Sequence, residues 1–499
     1  MTKLIKNELY KIFHKKFVYV MAILIVLMKI LTDVIVATDF DIDLSMIYEP
    51  SVEALENDTT NLTKDDLQYL VADKNQYDGL QLLKENHYSS NSWQAYVIIN
   101  GIINQNISCM NESKYISKDD EQYESCKKDL DTNMEHVKDG DWEYFVKTNL
   151  EEAKKMKALL EMKDEVPIAD SEDLEEEEDS LEIDSEEEEI DISYLNRQIE
   201  ENEYRLKYGV PYGYSVKSSI ITTYTNYSGM WDSVQHDESK INKYEDLVEK
   251  REIEKEYEEA KYKLENGVLP KNDHLVSSQQ YLINSFSYAS FFMILFIIVL
   301  GATIVADEFN KGTIKQLLLK PFTRTKILIS KYLSCLVVFF IFIAGIMVVY
   351  SLIDGIAFGF EDLFLPVVSY SHHVGKIVEY NTYVYVILNF ISILPHYLIL
   401  FTLGFLISIL LENSVVGIIV PLVIDTFGGL IMELLPKSLA RVSAILPFNC
   451  WELNNFLFGR IPSNEYASFG LALFVDVLLI VVMLLLSILL FKKKDIKNQ

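Results

Sequence analysis

Four cysteines in 499 residues cannot build the dense cross-linking of a small secreted scaffold. Two of them, Cys109 and Cys126, share a long polar stretch and either pair in an oxidising exterior or remain two separate thiols. Cys335 lies in an apolar run and reads as an inert packing residue, and Cys450 as a lone thiol without a mate. The chain also lacks Gly-x-x-x-x-Gly-Lys-Ser/Thr, since its sole Gly-Lys pair, Gly375-Lys376, is followed by Ile377. His-Glu-x-x-His, Cys-x-x-Cys and Gly-x-Ser-x-Gly are missing too. Asp39-Phe40-Asp41-Ile42-Asp43 opens like a calcium loop but has neither the glycine at position six nor the glutamate at position twelve. These absences speak against an intrinsic enzyme, a resident metal or a nucleotide cofactor in this chain.

What the chain does have is six long apolar runs: Phe17–Ala37, Phe286–Ala306, Leu328–Ile353, Val384–Leu411, Val415–Leu434 and Gly470–Phe491. At roughly 1.5 Å per residue, about 20 residues cross a hydrocarbon core about 30 Å thick. The expected fold is therefore an all-α polytopic membrane protein with six transmembrane helices. The first run reads as a span rather than a cleaved secretory signal, because it is too long and Ile35-Val36-Ala37 is a poor cleavage site.

The formal charge of -29 belongs to one insertion. Residues 38–285 hold 59 acidic against 25 basic side chains, and the remainder holds 15 against 20. Basic residues cluster in the N-terminal segment (Lys3, Lys6, Lys11, Lys15, Lys16), after the second run (Lys311, Lys315, Lys320, Arg324, Lys326) and in the tail 492–499. Short basic loops stay on the cytoplasmic side, whereas long translocated domains escape that bias. Both termini are expected inside a bacterial plasma membrane, with residues 38–285 outside and smaller outer loops at 354–383 and 435–469.

Residues 1–16 place Leu4, Ile5, Leu9, Ile12 and Phe13 on one helical face, the pattern of a helix lying in the lipid interface. The outer insertion reads as mainly helical, with helix-like composition over Asp119–Lys163 and Glu238–Glu265. Residues 164–191 carry 17 acidic side chains in 28 and no Lys or Arg, so they read as a disordered spacer, with capture of a cationic partner as the sharper alternative.

The loop 307–327 is the most informative segment. Ile314, Leu317 and Leu318 share a helical face that ends at Pro321, giving a short helix along the membrane. The pattern Glu308-x-x-x-Gly312-Thr313-Ile314-x-x-Leu317-Leu318-x-x-Pro321-x-x-Arg324, following the second of six spans, resembles the signature of ABC-2 type transporter permeases, and is most similar to the bacterial branch with a large extracellular domain between the first two spans. The likeness extends over residues 1–37 and 286–499, including the tight turn Glu412-Asn413-Ser414. It implies that 307–327 is a coupling helix gripped by a separate ATP-binding subunit, in two copies, which supplies ATP and Mg, with Glu308 and Gly312 at the docking end. It also implies a second permease subunit, identical or related, and export of a hydrophobic, lipid-like or peptide substrate. A sensor or resistance subunit that binds antimicrobial peptides through the outer domain is the alternative. Membrane lipid is the other expected partner, and nothing in the sequence suggests nucleic acid.

Ionisable residues inside spans are costly and point to function or to pairing. Lys29 and Asp33 lie four apart in the first span, whereas Asp425 and Asp476 have no local mate, and one of them is a candidate to meet Lys29 across the bundle.

Overall fold

The computed structural model describes residues 1–37, 47–57, 63–164, 192–235, 244–313, 322–435, 439–450, 453–458, 462 and 464–494. The chain divides into two compact units. One comprises Met1–Ala37, Ser239–Lys255 and Val276–Gln499, and the other Thr38–Glu238 and Glu256–Leu275.

Among the described residues, the first unit contains six helices long and apolar enough to cross a membrane: Lys16–Ile35, Ser278–Asn310, Arg324–Phe358, Thr382–Leu411, Ser414–Met432 and Phe469–Lys493. They define a multi-pass, all-α membrane architecture. Several outrun the apolar stretches because polar caps, rather than the loss of hydrophobicity, set their ends. Thr323 accepts from the Lys326 amide, Asn381 from Tyr383 and Val384, Asn413 from Val415 and Val416, and Ser468 from Leu471. The second span gains a preceding helix, Ser278–Tyr288, ahead of Ser290–Asn310.

The second span is the most enclosed of the six. Phe296, Ile297, Ile298 and Leu300 pack with Phe339, Phe401 and Phe405 in one core. Glycines allow the close approaches. A Cβ on Gly301 would lie 2.9 Å from the Phe401 carbonyl, and one on Gly404 would lie 2.9 Å from the Gly417 carbonyl. The fourth and fifth spans therefore meet backbone to backbone, as small residues permit between helices in lipid.

The expected outer loop 354–383 is not irregular throughout. Strands Pro366–Ser371 (β1) and Lys376–Asn381 (β2) form an antiparallel hairpin, with Pro366 opposite Asn381 and Ser371 opposite Lys376. Its turn uses Gly375 at φ +62°, where a side chain would be strained. The hairpin packs on the helix Tyr244–Glu265 through Tyr370, whose hydroxyl donates to Glu254 at 2.9 Å.

The second unit is helical. The stretch of helix-like composition over 119–163 forms two helices, Asp120–Asp139 and Trp142–Asp164, separated at Gly140, which takes φ +77°. Ile98, Ile102, Ile103 and Ile107 build one core with Met134 and Val137, and Val210, Ile221, Tyr224, Ala260 and Leu264 build another. Arg205, fully buried, donates to the Pro211 carbonyl and Ser218 at 2.9 Å and pairs with Glu201 at 2.6 Å, beneath the Tyr212 ring. Cys109 and Cys126 are joined in a disulfide with Cα atoms 6.0 Å apart. The calcium-like stretch 39–43 and the acidic run 165–191 lie outside the described residues.

Candidate functional site: two polar clusters in the helical bundle

The N-terminal helix Thr2–Phe13 buries Leu4 and Ile12 but also Glu8. One Glu8 oxygen accepts from Lys331 of the third span at 2.8 Å, and the other from Lys11 at 3.1 Å. Glu308, at the end of the second span, meets Lys331 at 2.8 Å and Lys11 at 2.9 Å. Lys15 pairs with Asp307 at 2.8 Å. Two carboxylates and two ammonium groups thus alternate around a closed ring that pins the N-terminal helix to both spans flanking the 311–323 loop. Burial alone would raise the Glu8 carboxyl, but Lys331 and Lys11 outweigh it and hold the group below the usual carboxylate range. Burial would likewise lower Lys11, but Glu308 and Glu8 keep its ammonium above the ordinary lysine value.

Of the residues expected to couple this chain to a partner, Glu308 points inward. Its carboxylate is almost wholly enclosed and is engaged by the two lysines. A residue at the end of a span tends to turn toward buried cations nearby, and those come from sequence positions far from it. Gly312 takes φ +66° in open space, its amide bonded to the Phe309 carbonyl at 3.0 Å, and Thr313 donates to the Glu308 carbonyl. Arg324 donates to the carbonyls of Lys492 and Lys494 at 3.1 and 2.9 Å. Ile314, Leu317, Leu318 and Pro321 lie outside the described residues. Lys494 in turn pairs with Glu412 at 2.9 Å and stands over the Phe309 ring. The N-terminal helix, residues 311–313 after the second span, the 412–414 turn and residues 492–494 therefore gather at one end of the bundle.

A second cluster surrounds Lys29. Its ammonium faces Asp33 at 2.9 Å, bonds to Asp354 of the third span, and stands 4.0 Å from the Tyr281 ring centroid and 5.5 Å from that of Tyr350. The expected pairing of Lys29 with Asp33 is present, but the partner across the bundle is Asp354, not Asp425 or Asp476. Asp354 lies just beyond the apolar run Leu328–Ile353, but the helix of the third span continues to Phe358. Asp425 instead meets His396 of the fourth span at 2.8 Å. Asp476 is fully buried, and neither of its oxygens has a hydrogen-bond partner among the described residues.

Glu8, Lys331, Asp354 and His396 escaped sequence reading. No local pattern marks them, because each meets a partner in another helix.

The profile of a family described as a protein of unknown function, DUF2705, matches residues 267–497, the stretch that holds the second to sixth spans. Uncharacterized protein YhcI of Bacillus subtilis (strain 168) is 26% identical over 204 residues, or 41% of this chain and 64% of that relative. The match thus spans just under two thirds of the relative's length. No solved structure matches.

Proposed function

We propose that this chain is the membrane-spanning permease of an ABC-2 type exporter whose ATPase is a separate subunit. The observation that carries the reading is the ion-pair ring of Glu8, Lys11, Glu308 and Lys331. The 311–323 loop leaves the second span next to Glu308 and enters the third just before Lys331, and both ends are locked to one interfacial helix. A push on that loop would move the two spans and the N-terminal helix together, which is what an ATPase docking from below requires. The gathering of lysines at the same end supports its assignment to the cytoplasmic face of a bacterial plasma membrane. The insertion between the first and second spans then lies outside, and the loop 311–323, with Gly312 at its start, is the docking segment. Glu308 acts behind that segment as the link to the N-terminal helix.

The test is to purify the tagged full-length chain from its native membrane in mild detergent and identify what accompanies it by mass spectrometry. An ABC-type ATP-binding protein in near-stoichiometric amount is the expected companion. Its absence under conditions that keep the permease folded would overturn the reading.

A further inference from the structure

The lysines of the N-terminal segment fall into two sets. Lys11 and Lys15 pair with Glu8, Glu308 and Asp307. Lys3, Lys6 and Lys16 are exposed, and none of them meets an acidic side chain among the described residues. At about 3.6 residues per turn, Lys3, Lys6, Tyr10 and His14 share one face of the helix Thr2–Phe13 and its C-cap. That face is exposed and holds no Asp or Glu, so its positive charge is uncompensated. The opposite, apolar face is taken up by the protein itself. Leu4 and Ile12 are buried, and the Ile5 carbonyl accepts from Ser334 of the third span at 3.4 Å. What the helix offers to its surroundings is therefore the basic face.

Neighbouring side chains identify those surroundings. Ile5 and Glu8 are level with Ser334 and Lys331, and beside these the third span exposes Leu333 and Val337. The first span exposes Tyr19, Val20 and Ile23 within two turns of Lys16. Long apolar side chains exposed on spanning helices face hydrocarbon, so the basic face lies where hydrocarbon gives way to head groups. Tyr10, 65% exposed with its ring 4.0 Å from that of His14, supplies the aromatic side chain typical of that boundary.

We propose that this face binds the phosphate head groups of anionic phospholipid, with Lys3, Lys6 and Lys16 as the cationic contacts and Tyr10 at head-group depth. A soluble acidic partner would have to approach between hydrocarbon-facing side chains, whereas lipid is adjacent to the face from the start. The helix is then held from both sides, by the ion-pair ring within and by lipid phosphate without. The proposal requires only that the bundle spans a bilayer and does not rest on the permease reading.

The experiment uses full-length protein tagged at its C-terminus in mild detergent, with palmitoyl-oleoyl phosphatidylglycerol and the phosphatidylcholine of the same chains, bound lipid being counted by native mass spectrometry. A lysine near an anionic lipid surface contributes about fivefold in affinity. Phosphatidylglycerol should therefore bind about 20-fold or more tightly than phosphatidylcholine. Lys3→Gln with Lys6→Gln should remove most of that preference and leave phosphatidylcholine binding unchanged. Lys3→Arg with Lys6→Arg, which keeps the charge, should retain it, as should Lys492→Gln with Lys493→Gln in the exposed tail. Equal binding of the two lipids by wild type, an unchanged preference in the folded Lys3→Gln, Lys6→Gln protein, or an equal loss in the tail variant would overturn the proposal. So would a Lys3→Gln, Lys6→Gln protein that keeps its lipid preference but releases a co-purifying ATP-binding protein, since the face would then dock protein. No ATPase enters the lipid readout, so its failure is distinguishable from failure of the permease reading.

Discussion

Glu8 sits between two lysines in a nearly enclosed position. Glu8→Gln removes one carboxylate from the ring and leaves Lys331, itself buried, with Glu308 alone. Loss of one partner of a buried pair costs about 3 kcal/mol, read as a lower thermal midpoint of the detergent-solubilised protein. The pH dependence has a definite sign. A carboxyl whose folded pKa lies below its unfolded value of 4.5 contributes stability that is present above that value and is lost as pH falls through the folded pKa. Wild type should therefore lose midpoint on acidification below about pH 4.5, and Glu8→Gln should show a flatter acid limb. An identical acid limb in the two proteins would show that Glu8 is not the group responsible. The reach of sequence reading is clear at this scale. The pair Lys29 and Asp33 is legible because helix geometry places residues four apart on one face. The contact of Glu8 with Lys331 spans 323 positions and depends on where two helices cross, which no local pattern encodes.

At the scale of elements, the six apolar runs were legible because the hydrocarbon core permits few ways to satisfy backbone polar groups, and a helix of about 20 apolar residues is one of them. Their ends were less so, since Thr323, Asn381, Asn413 and Ser468 extend or fix helices through single side-chain bonds. The hairpin 366–381 was missed because its strands are short and one begins with a proline, whereas its partner helix comes from the far side of the second span in sequence. Packing of the fourth span on the fifth offers a direct test. Gly404→Val puts a branched side chain where even a Cβ would stand 2.9 Å from the Gly417 carbonyl, while Gly345→Val in the third span meets nothing within 4 Å. The first should destabilise by about 1–3 kcal/mol, the usual cost of overpacking, and the second far less. Comparable midpoints for the two variants would contradict the close approach. In the second unit, the disulfide closes a loop of 17 positions. Cys109→Ser with Cys126→Ser should cost about 3 kcal/mol in that unit, measurable by the loss of its own unfolding transition toward lower temperature.

For the whole molecule, the account is one of transmission. Residues 311–313, the N-terminal helix, the 412–414 turn and residues 492–494 meet at one end of the bundle, and the Lys29 cluster lies among the first three spans. What the sequence could not convey is that Glu308 is enclosed in an ion-pair ring with Glu8, Lys11 and Lys331. Sidedness is checked by cysteine labelling with a membrane-impermeant reagent in intact cells. A cysteine introduced at the solvent-facing Gly312 should stay unlabelled until the membrane is opened, and one introduced at Tyr69, which is 78% exposed in the second unit, should be labelled from outside. The most direct test of the central claim is ATP hydrolysis by the purified chain with and without its co-purified ATP-binding subunit, in wild type and Glu8→Gln. The account predicts no hydrolysis by the chain alone, hydrolysis by the complex, and a complex of Glu8→Gln that still assembles but no longer responds to transported substrate. Hydrolysis by the chain alone, or full substrate response with the ring broken, would contradict it.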